Sequence, residues 1–372
     1  MFAIFGSFLS WYFLLPLYLR KMGANETEIG IAYLCFDVAA CVFQFYGGYL
    51  ADKFGRKKLI TLPTFVFPLF YIIAANANNW ITVSVMVVLG NLLSGFQIPS
   101  LYATVAESVK EKDRGLAFSI FEISLAAAFA LGPALGSVFA GTIGGIKTLL
   151  YIYSGILLIC AFIRQIWLRD VANHHEYKTN FRSVLGAFDR NLILLLLSFV
   201  FYTLMINTTI YGPFIALYSK DRIGLGEKAI QYTFMAGGIL AVFFNLWSGR
   251  LTQKIGSKKA MIYGALGHSL LFIPWLFSKG LAASVVYYSV AYIFLQLSFI
   301  GHDTLMSDLT DIKTRSSIIG IFGLIPGVLG ALAPPAGVKL SSIFGSHAPF
   351  YMAVIFSLIT SAFLLMLKSD RI

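Results

Sequence analysis

Charge is scarce in this sequence. Only 12% of its 372 residues are Asp, Glu, Lys or Arg, against 58% that are hydrophobic. A soluble domain covers itself with polar and charged side chains, so this shortage excludes one. Cysteine is nearly absent as well. Cys35, Cys41 and Cys160 all lie inside apolar runs and form no CxxC pair. That excludes a disulfide framework, offers no metal or redox motif, and leaves them as small buried hydrophobes. There is no HExxH, no GxSxG and no P-loop. A membrane-embedded enzyme and a chain that drives itself with ATP are therefore both disfavoured, and no cofactor is called for. The net charge of +11 is carried by short basic clusters between apolar runs, without a basic tail or stripe. A nucleic-acid partner is not expected from that distribution.

What the sequence has in abundance is long apolar runs, and they make it an integral membrane protein. A bilayer core of about 30 Å needs about 20 helical residues per crossing. Runs of that order fall at 2–20, 27–51, 58–75, 80–106, 115–141, 146–168, 191–219, 227–250, 259–277, 281–306, 316–339 and 348–367. Twelve spans are expected, and helices are the default because lipid offers no partner to an open sheet edge. The first run has no basic leader and no small-residue cleavage site, so it reads as a retained span rather than a signal peptide. It is slightly short for a crossing, and a few residues are expected ahead of Met1.

Lysine and arginine set the orientation. With both chain ends on one side, that side holds twenty of the 28 bases and the other holds eight. The positive-inside rule makes the richer side, and both termini, cytoplasmic. The polar segment 169–190 joins span 6 to span 7 and divides the chain into 1–168 and 191–372. His174 and His175 lie there with no third ligand nearby, which favours a solvated linker over a metal site.

The two halves repeat. At an offset of 201 residues, Gly23 and Glu26 fall on Gly224 and Glu227, and Gly48, Leu50, Gly55, Lys57 and Lys58 fall on Gly249, Leu251, Gly256, Lys258 and Lys259. Glu107 falls on Asp308, Arg114 on Arg315, and "ALGPALG" (130–136) on "ALAPPAG" (331–337). Two six-span bundles of like orientation are a parallel repeat, an architecture common among secondary transporters.

The loop "GGYLADKFGRKK" (47–58) carries a more particular signal. Its G-x-L-A-D-K-x-G-R-K-K pattern resembles the loop signature of the major facilitator superfamily, and length, span number and repeat agree over the whole chain. The resemblance implies an all-α fold of twelve transmembrane helices in two pseudo-repeated six-helix bundles. Gly48 and Gly55 suit close packing and a tight turn. By resemblance, Asp52, Arg56 and Glu107 form a latch on the cytoplasmic side, with Asp52 at the N-terminus of span 11 near Ser316, where a helix dipole favours its charge. The alternative is that these charges only set topology. The second copy, "SGRLTQKIGSKK" (248–259), has Gln253 for the acid and Ser257 for the arginine, so the turn should persist with a weaker latch. "A-x-x-x-G-P-x-x-G" (128–136) resembles a pattern of the family's antiporters. Gly132 and Gly136, one turn apart, offer a flat face for close helix contact, and Pro133 bends the helix locally.

Acids inside a membrane are costly, so each is a functional candidate. Asp37 in span 2, Glu122 in span 5 and Asp303 in span 10 are the candidates to carry a coupling proton. Ser289, Gln296, Asp303 and Thr310 recur at intervals of seven and share a face. The family fold turns spans 1, 4, 7 and 10 toward a central cavity, which the resemblance would line with Trp11, Tyr18, Asn91, Gln97, Asn207, Tyr211, Gln296 and Asp303. His302 projects away from Asp303's face, and His268 sits on an outer helix of the family; both read first as structural. Many proton-coupled exporters of the family carry an arginine in span 4 where Asn91 stands, which weakens a reading that depends on it.

The expected function is secondary-active transport of a small organic solute by alternating access: export of an amphipathic or cationic compound against protons, by a monomer in the plasma membrane. The alternatives are proton-coupled uptake of a sugar or other nutrient, and a lipid scramblase or non-transporting sensor on the same fold.

Overall fold

A computed structural model describes residues 2–109, 114–142, 144–169, 186, 188–310 and 315–368. Its helices are α1 (Phe2–Tyr12), α2 (Leu15–Lys21), α3 (Glu26–Phe54), α4 (Arg56–Asn76), α5 (Trp80–Glu107), α6 (Arg114–Phe139), α7 (Gly145–Trp167), α8 (Arg190–Thr208), α9 (Phe214–Asp221), α10 (Glu227–Ile255), α11 (Ser257–Leu276), α12 (Gly280–Leu309), α13 (Arg315–Gly330), α14 (Ala333–Phe344) and α15 (Ala348–Leu365). No strand occurs among the described residues. Taking α1 with α2, α8 with α9 and α13 with α14 as single broken crossings gives twelve spans. Each meets one of the expected runs, with ends shifted by no more than five residues. Among the described residues, seven stretches are long and apolar enough to cross a membrane on length and composition alone. The outward faces suit lipid: Leu62, Ile159, Ile166, Trp167, Phe243, Trp247 and Leu365 are each more than half exposed, a surface that water would not tolerate.

The repeat is visible in the backbone. α3 and α10 are both 29 residues long and begin and end 201 residues apart. Each is followed by one glycine and then a new helix. Gly55 has φ 87° and ψ 140°, and Gly256 has φ 89° and ψ 145°. A side chain is strained in that conformation, which accounts for a glycine in both copies of the loop although the acid and the arginine are lost from the second.

A proline stands at each of the three breaks, with Pro213 at the N-cap of α9. Pro16 stands in the first turn of α2, and Pro334 and Pro335 open α14. Proline is tolerated at a helix start, where its missing N–H has no helical partner anyway. Span 11 breaks at "ALAPPAG", whereas its counterpart "ALGPALG", with the single Pro133, stays inside the continuous α6.

The helices gather into two compact units, residues 1–176 with 226–235, and 177–225 with 236–372. In the first, α5 lies against α3 through Gly95, where an added Cβ would sit 2.5 Å from the Ala40 carbonyl oxygen. Its aromatic centre is Trp11, Tyr71 and Tyr153, with ring centroids 5.4 Å apart for Trp11–Tyr71 and 4.7 Å for Tyr71–Tyr153. The first turns of α10 complete this unit. Gln231 Nε2 donates to the Ser10 carbonyl at 2.7 Å, and Phe234 stacks on Phe13 at 4.1 Å.

The second unit centres on Trp275, Phe272 and Phe350. Small hydroxyls act as glue between its helices: Trp275 Nε1 donates to Ser284 Oγ at 2.9 Å, and the Ser269 and Ser357 hydroxyls are 2.6 Å apart. His268, fully buried on α11, holds the break in span 7. Its Nδ1 is 2.9 Å from the Ala291 carbonyl oxygen and its Nε2 is 2.9 Å from Thr209 Oγ1, just past the end of α8. A carbonyl can only accept, so Nδ1 carries the hydrogen, and Nε2 shares the single Thr209 hydroxyl hydrogen with the Met205 carbonyl, 3.1 Å from the same oxygen. Both ring nitrogens are thus used structurally. His268→Ala should cost about 1–3 kcal/mol by leaving these buried partners unmatched. Thermal unfolding of purified protein in detergent reads this out, and an unchanged midpoint would remove the assigned role.

Candidate functional site

Inside the first unit lies a cavity of about 300 Å³. Phe5 and Phe8 of α1, Phe67 and Tyr71 of α4, Phe121 of α6 and Tyr153 of α7 give it aromatic walls. α5 contributes Asn91, Ser94, Gln97, Ile98, Leu101 and Tyr102, a set of positions three and four apart that puts one helix face on the cavity. The neutral amides and the serine are the sparse polar groups of an otherwise apolar pocket, the usual make-up of a small-molecule site.

One cation also lines it: Arg164 of α7. Its Nη1 donates to Thr64 Oγ1 at 2.6 Å. Thr64 in turn donates to the Ile60 carbonyl at 2.7 Å and accepts from Gln97 Nε2, also at 2.7 Å. Gln97 Nε2 reaches the same Ile60 carbonyl at 2.5 Å. A threonine hydroxyl has one hydrogen and two lone pairs, so these three bonds use all of its capacity. The node ties α4, α5 and α7 together and fixes both Gln97 and Arg164 against the cavity wall. Pro63, beside Thr64 inside α4, removes a helical N–H nearby and loosens the ladder where the extra donors come in.

Two of the residues expected from the sequence, Asn91 and Gln97, line this cavity. Trp11 is fully buried in the aromatic centre and is not among the lining residues; Tyr18, half-buried on α2, does not line it either. Asp37 is half-buried on α3, one turn from Tyr33 and one from Cys41. Arg56 is half-buried in the first turn of α4, directly after Gly55. Gly48 lies within α3, while the side chains of Asp52, Glu107 and Glu122 lie outside the described residues, as does most of the 169–190 linker with His174 and His175. An added Cβ at Gly132 would stand 2.6 Å from the Gly6 carbonyl oxygen and 2.7 Å from Leu9 Cβ; at Gly136 it would run into the Ser10 carbonyl and the Gln231 side chain.

In the second unit, Asn207 is buried at the end of α8, where an added Cβ at Gly330 would be 3.3 Å from its Nδ2. Tyr211 stands in the break of span 7, and Gln296 is half-buried on α12. The Asp303 side chain is 79% exposed and the adjacent His302 ring only 8%, with His302 Nδ1 donating to Asp303 Oδ1 at 3.1 Å. The His302 ring stacks on Phe199 with centroids 3.8 Å apart. Among the described residues no group of three metal-ligating side chains forms. Thr64, Tyr71 and Tyr153 went unmarked in the sequence, and Arg164 counted there only among the twenty bases of the cytoplasmic side. Arg164 falls inside the expected span 146–168, and an arginine within a span was the signal available.

A sequence profile described as the Major Facilitator Superfamily matches residues 1–307. The quinolone resistance protein NorA of Staphylococcus aureus is 24% identical over 372 residues, covering 96% of this chain and 92% of that protein. Multidrug resistance protein 2 of Bacillus subtilis is 23% identical over 284 residues, or 73% of this chain and 70% of that protein. Among solved structures, the nucleoside transporter NupG superposes with a TM-score of 0.78 at 15% identity, over 99% of this chain and 97% of its own. A bacterial homolog of the human lysosomal transporter Spinster, in an inward-facing conformation, does so with 0.77 at 13% identity, over 98% and 92%. At such identities these two speak for the fold alone. Profile, full-length relatives and fold agree with the loop signature and the repeat: the chain belongs to the Major Facilitator Superfamily, as a multi-pass membrane transporter of small molecules and not an enzyme.

Proposed function

We propose that this transporter exports a small amphipathic organic compound from the cell in exchange for protons. The observation that carries the reading is the cavity of about 300 Å³ in the first unit, walled by aromatic rings and furnished with a few hydrogen-bonding groups. Such a lining solvates a flat apolar body and offers few partners to a polyhydroxylated sugar, whose many hydroxyls would each need one. The names of the relatives, which speak of resistance to quinolones and to multiple drugs, support the same class of solute. The two six-helix halves alternate access, with solute binding lowering the cost of the exchange between states. Asp52, Arg56 and Glu107 latch the cytoplasmic side, and Asp37, Glu122 and Asp303 are the groups that carry the proton. Asn207, Tyr211 and Gln296 complete the solute path in the second half. The chain works as a monomer in the plasma membrane, with both termini cytoplasmic.

The test is flux in proteoliposomes. An imposed pH gradient should speed movement of a quinolone drug or a cationic dye about tenfold or more over protein-free liposomes, and should leave glucose unmoved. Glucose flux without drug flux would replace the reading with nutrient uptake. Flipping of labelled lipid with no solute flux would replace it with a scramblase.

A further inference from the structure

We propose that Gln97 makes the cavity of the first unit selective for flat aromatic solutes that carry a hydrogen-bond donor, by holding its own carbonyl oxygen toward the ligand. The inference rests on the solute reading above only in taking this cavity as a solute site. A glutamine in a pocket is normally indifferent to its ligand, because its amide can turn over and present either N–H or oxygen. Gln97 is not free to do so. Its Nε2 lies 2.5 Å from the Ile60 carbonyl oxygen and 2.7 Å from Thr64 Oγ1. The carbonyl only accepts. The Thr64 hydroxyl gives its one hydrogen to that same carbonyl, so toward Gln97 it accepts as well. Both hydrogens of the amide are therefore spent on α4. Turning it over would set its oxygen against two acceptors and forfeit two bonds where little water can replace them.

The polar atom left over is Oε1. Neither Ile60 nor Thr64 lines the cavity, whereas Gln97 does. Gln97 is only 6% exposed, yet Oε1 is neither hydrogen bonded to a described residue nor wholly enclosed by protein. What opens on it is the cavity. A ligand N–H or O–H pairs there at little entropic cost, since the side chain is already ordered. A ligand without a donor strips water from the oxygen and leaves it unmatched among aromatic walls, the kind of penalty by which a polar site rejects the wrong solute. Asn91, on the same cavity-facing side of α5, confers no such preference. Its amide has no partner among the described residues to fix it, so it turns to suit donor and acceptor alike. A volume of about 300 Å³ accommodates a two-ring body and excludes much larger solutes.

The probes are indole and benzofuran, which share one flat body and differ in a single N–H. Equilibrium dialysis of the purified full chain, with the same detergent micelles on both sides, should show indole binding about tenfold more tightly than benzofuran. Gln97→Met, which keeps the length of the side chain and replaces the amide by a weak acceptor, should bring the two within about twofold and leave benzofuran nearly as it was. A merely structural role for Gln97 would lower both affinities together. Equal binding of the two probes by the native protein overturns the proposal, and so does a preference that survives Gln97→Met. No saturable binding of indole at millimolar concentration overturns it too. If Gln97→Met does not fold, Gln97→Asn decides: its amide is one carbon too short to keep both bonds to α4, and the preference should fall severalfold. An undiminished preference there removes the anchored amide as its cause. Flux driven by a pH gradient without the N–H preference sinks this inference and leaves the transport reading intact; the preference without flux does the reverse.

Discussion

Gly132→Val should cost the protein about 3 kcal/mol or more and most of its folded yield, the upper end of what overpacking does. In lipid the helices gain little from burying apolar surface, because the tails are as apolar as the side chains. They hold together by close packing instead. α6 and α1 meet at backbone distance. A Cβ on Gly132 would come to 2.6 Å from the Gly6 carbonyl oxygen and 2.7 Å from Leu9 Cβ, while one at Gly6 would have ordinary contacts of 3.8 Å with Ala128. A carbonyl within a helix cannot swing aside as the end of a flexible side chain can, so valine must push the helices apart and give up contacts along their length. Gly136→Ala should cost less, because part of what it meets is the Gln231 side chain, which can move. Leu131, more than half exposed on the same helix, is the control: Leu131→Val should leave the unfolding midpoint within a degree or two. Thermal unfolding in detergent compares the three. A midpoint for Gly132→Val as high as that of the control would mean that the two helices do not meet there.

Most of the fold was legible because its causes are local. Span number follows from apolar runs set against the thickness of a bilayer, and the twofold repeat from glycines whose backbone demands are the same in both halves, as Gly55 and Gly256 show. Where spans break was less legible. Pro63 and Pro68 lie inside an uninterrupted α4, yet Pro334 and Pro335 start a new helix. A proline removes one donor wherever it stands; whether the chain then bends, or stops and restarts, depends on which neighbouring helix satisfies the freed groups. At span 7 Gly212 and Pro213 mark the break in the sequence, but the neighbour is α11, through His268, and nothing in the span itself announces that.

The site divides along the same line. Asn91 and Gln97 could be read from spacing, because one helix face is a matter of period. Arg164 could not, since which way the end of α7 faces is fixed by its packing on α4 and by the Thr64 hydroxyl. Trp11 shows the opposite error of inference. A large aromatic residue in a span rich in phenylalanine and tyrosine suits a pocket wall and a core equally well, and here the ring is wholly enclosed, with Phe8, Tyr12, Tyr71 and Tyr153 against it.

Asp303→Asn should reduce flux driven by a pH gradient about a hundredfold and leave exchange of solute for solute nearly unchanged. Net export against protons requires a group that loads a proton in one state and releases it in the other; exchange between two pools of solute requires only that the loaded carrier move. An asparagine keeps the size and polarity of the aspartate and cannot carry the proton. Asp303 is suited to the task by its exposure and by one fixed partner. Its own side chain is open, so a proton can reach it, and it is hydrogen bonded at 3.1 Å to His302, which is buried and pinned by its stack on Phe199. The buried ring holds the carboxylate in one place, and His302→Gln should therefore lower the driven flux severalfold without abolishing it. Glu122→Gln and Asp37→Asn, made alongside, assign the load among the three acids. If Asp303→Asn slows driven flux and solute exchange by the same factor, the residue contacts the solute or the fold instead. If neither changes, the exposed carboxylate of α12 has no part in coupling, and the proton must travel through α3 or α6.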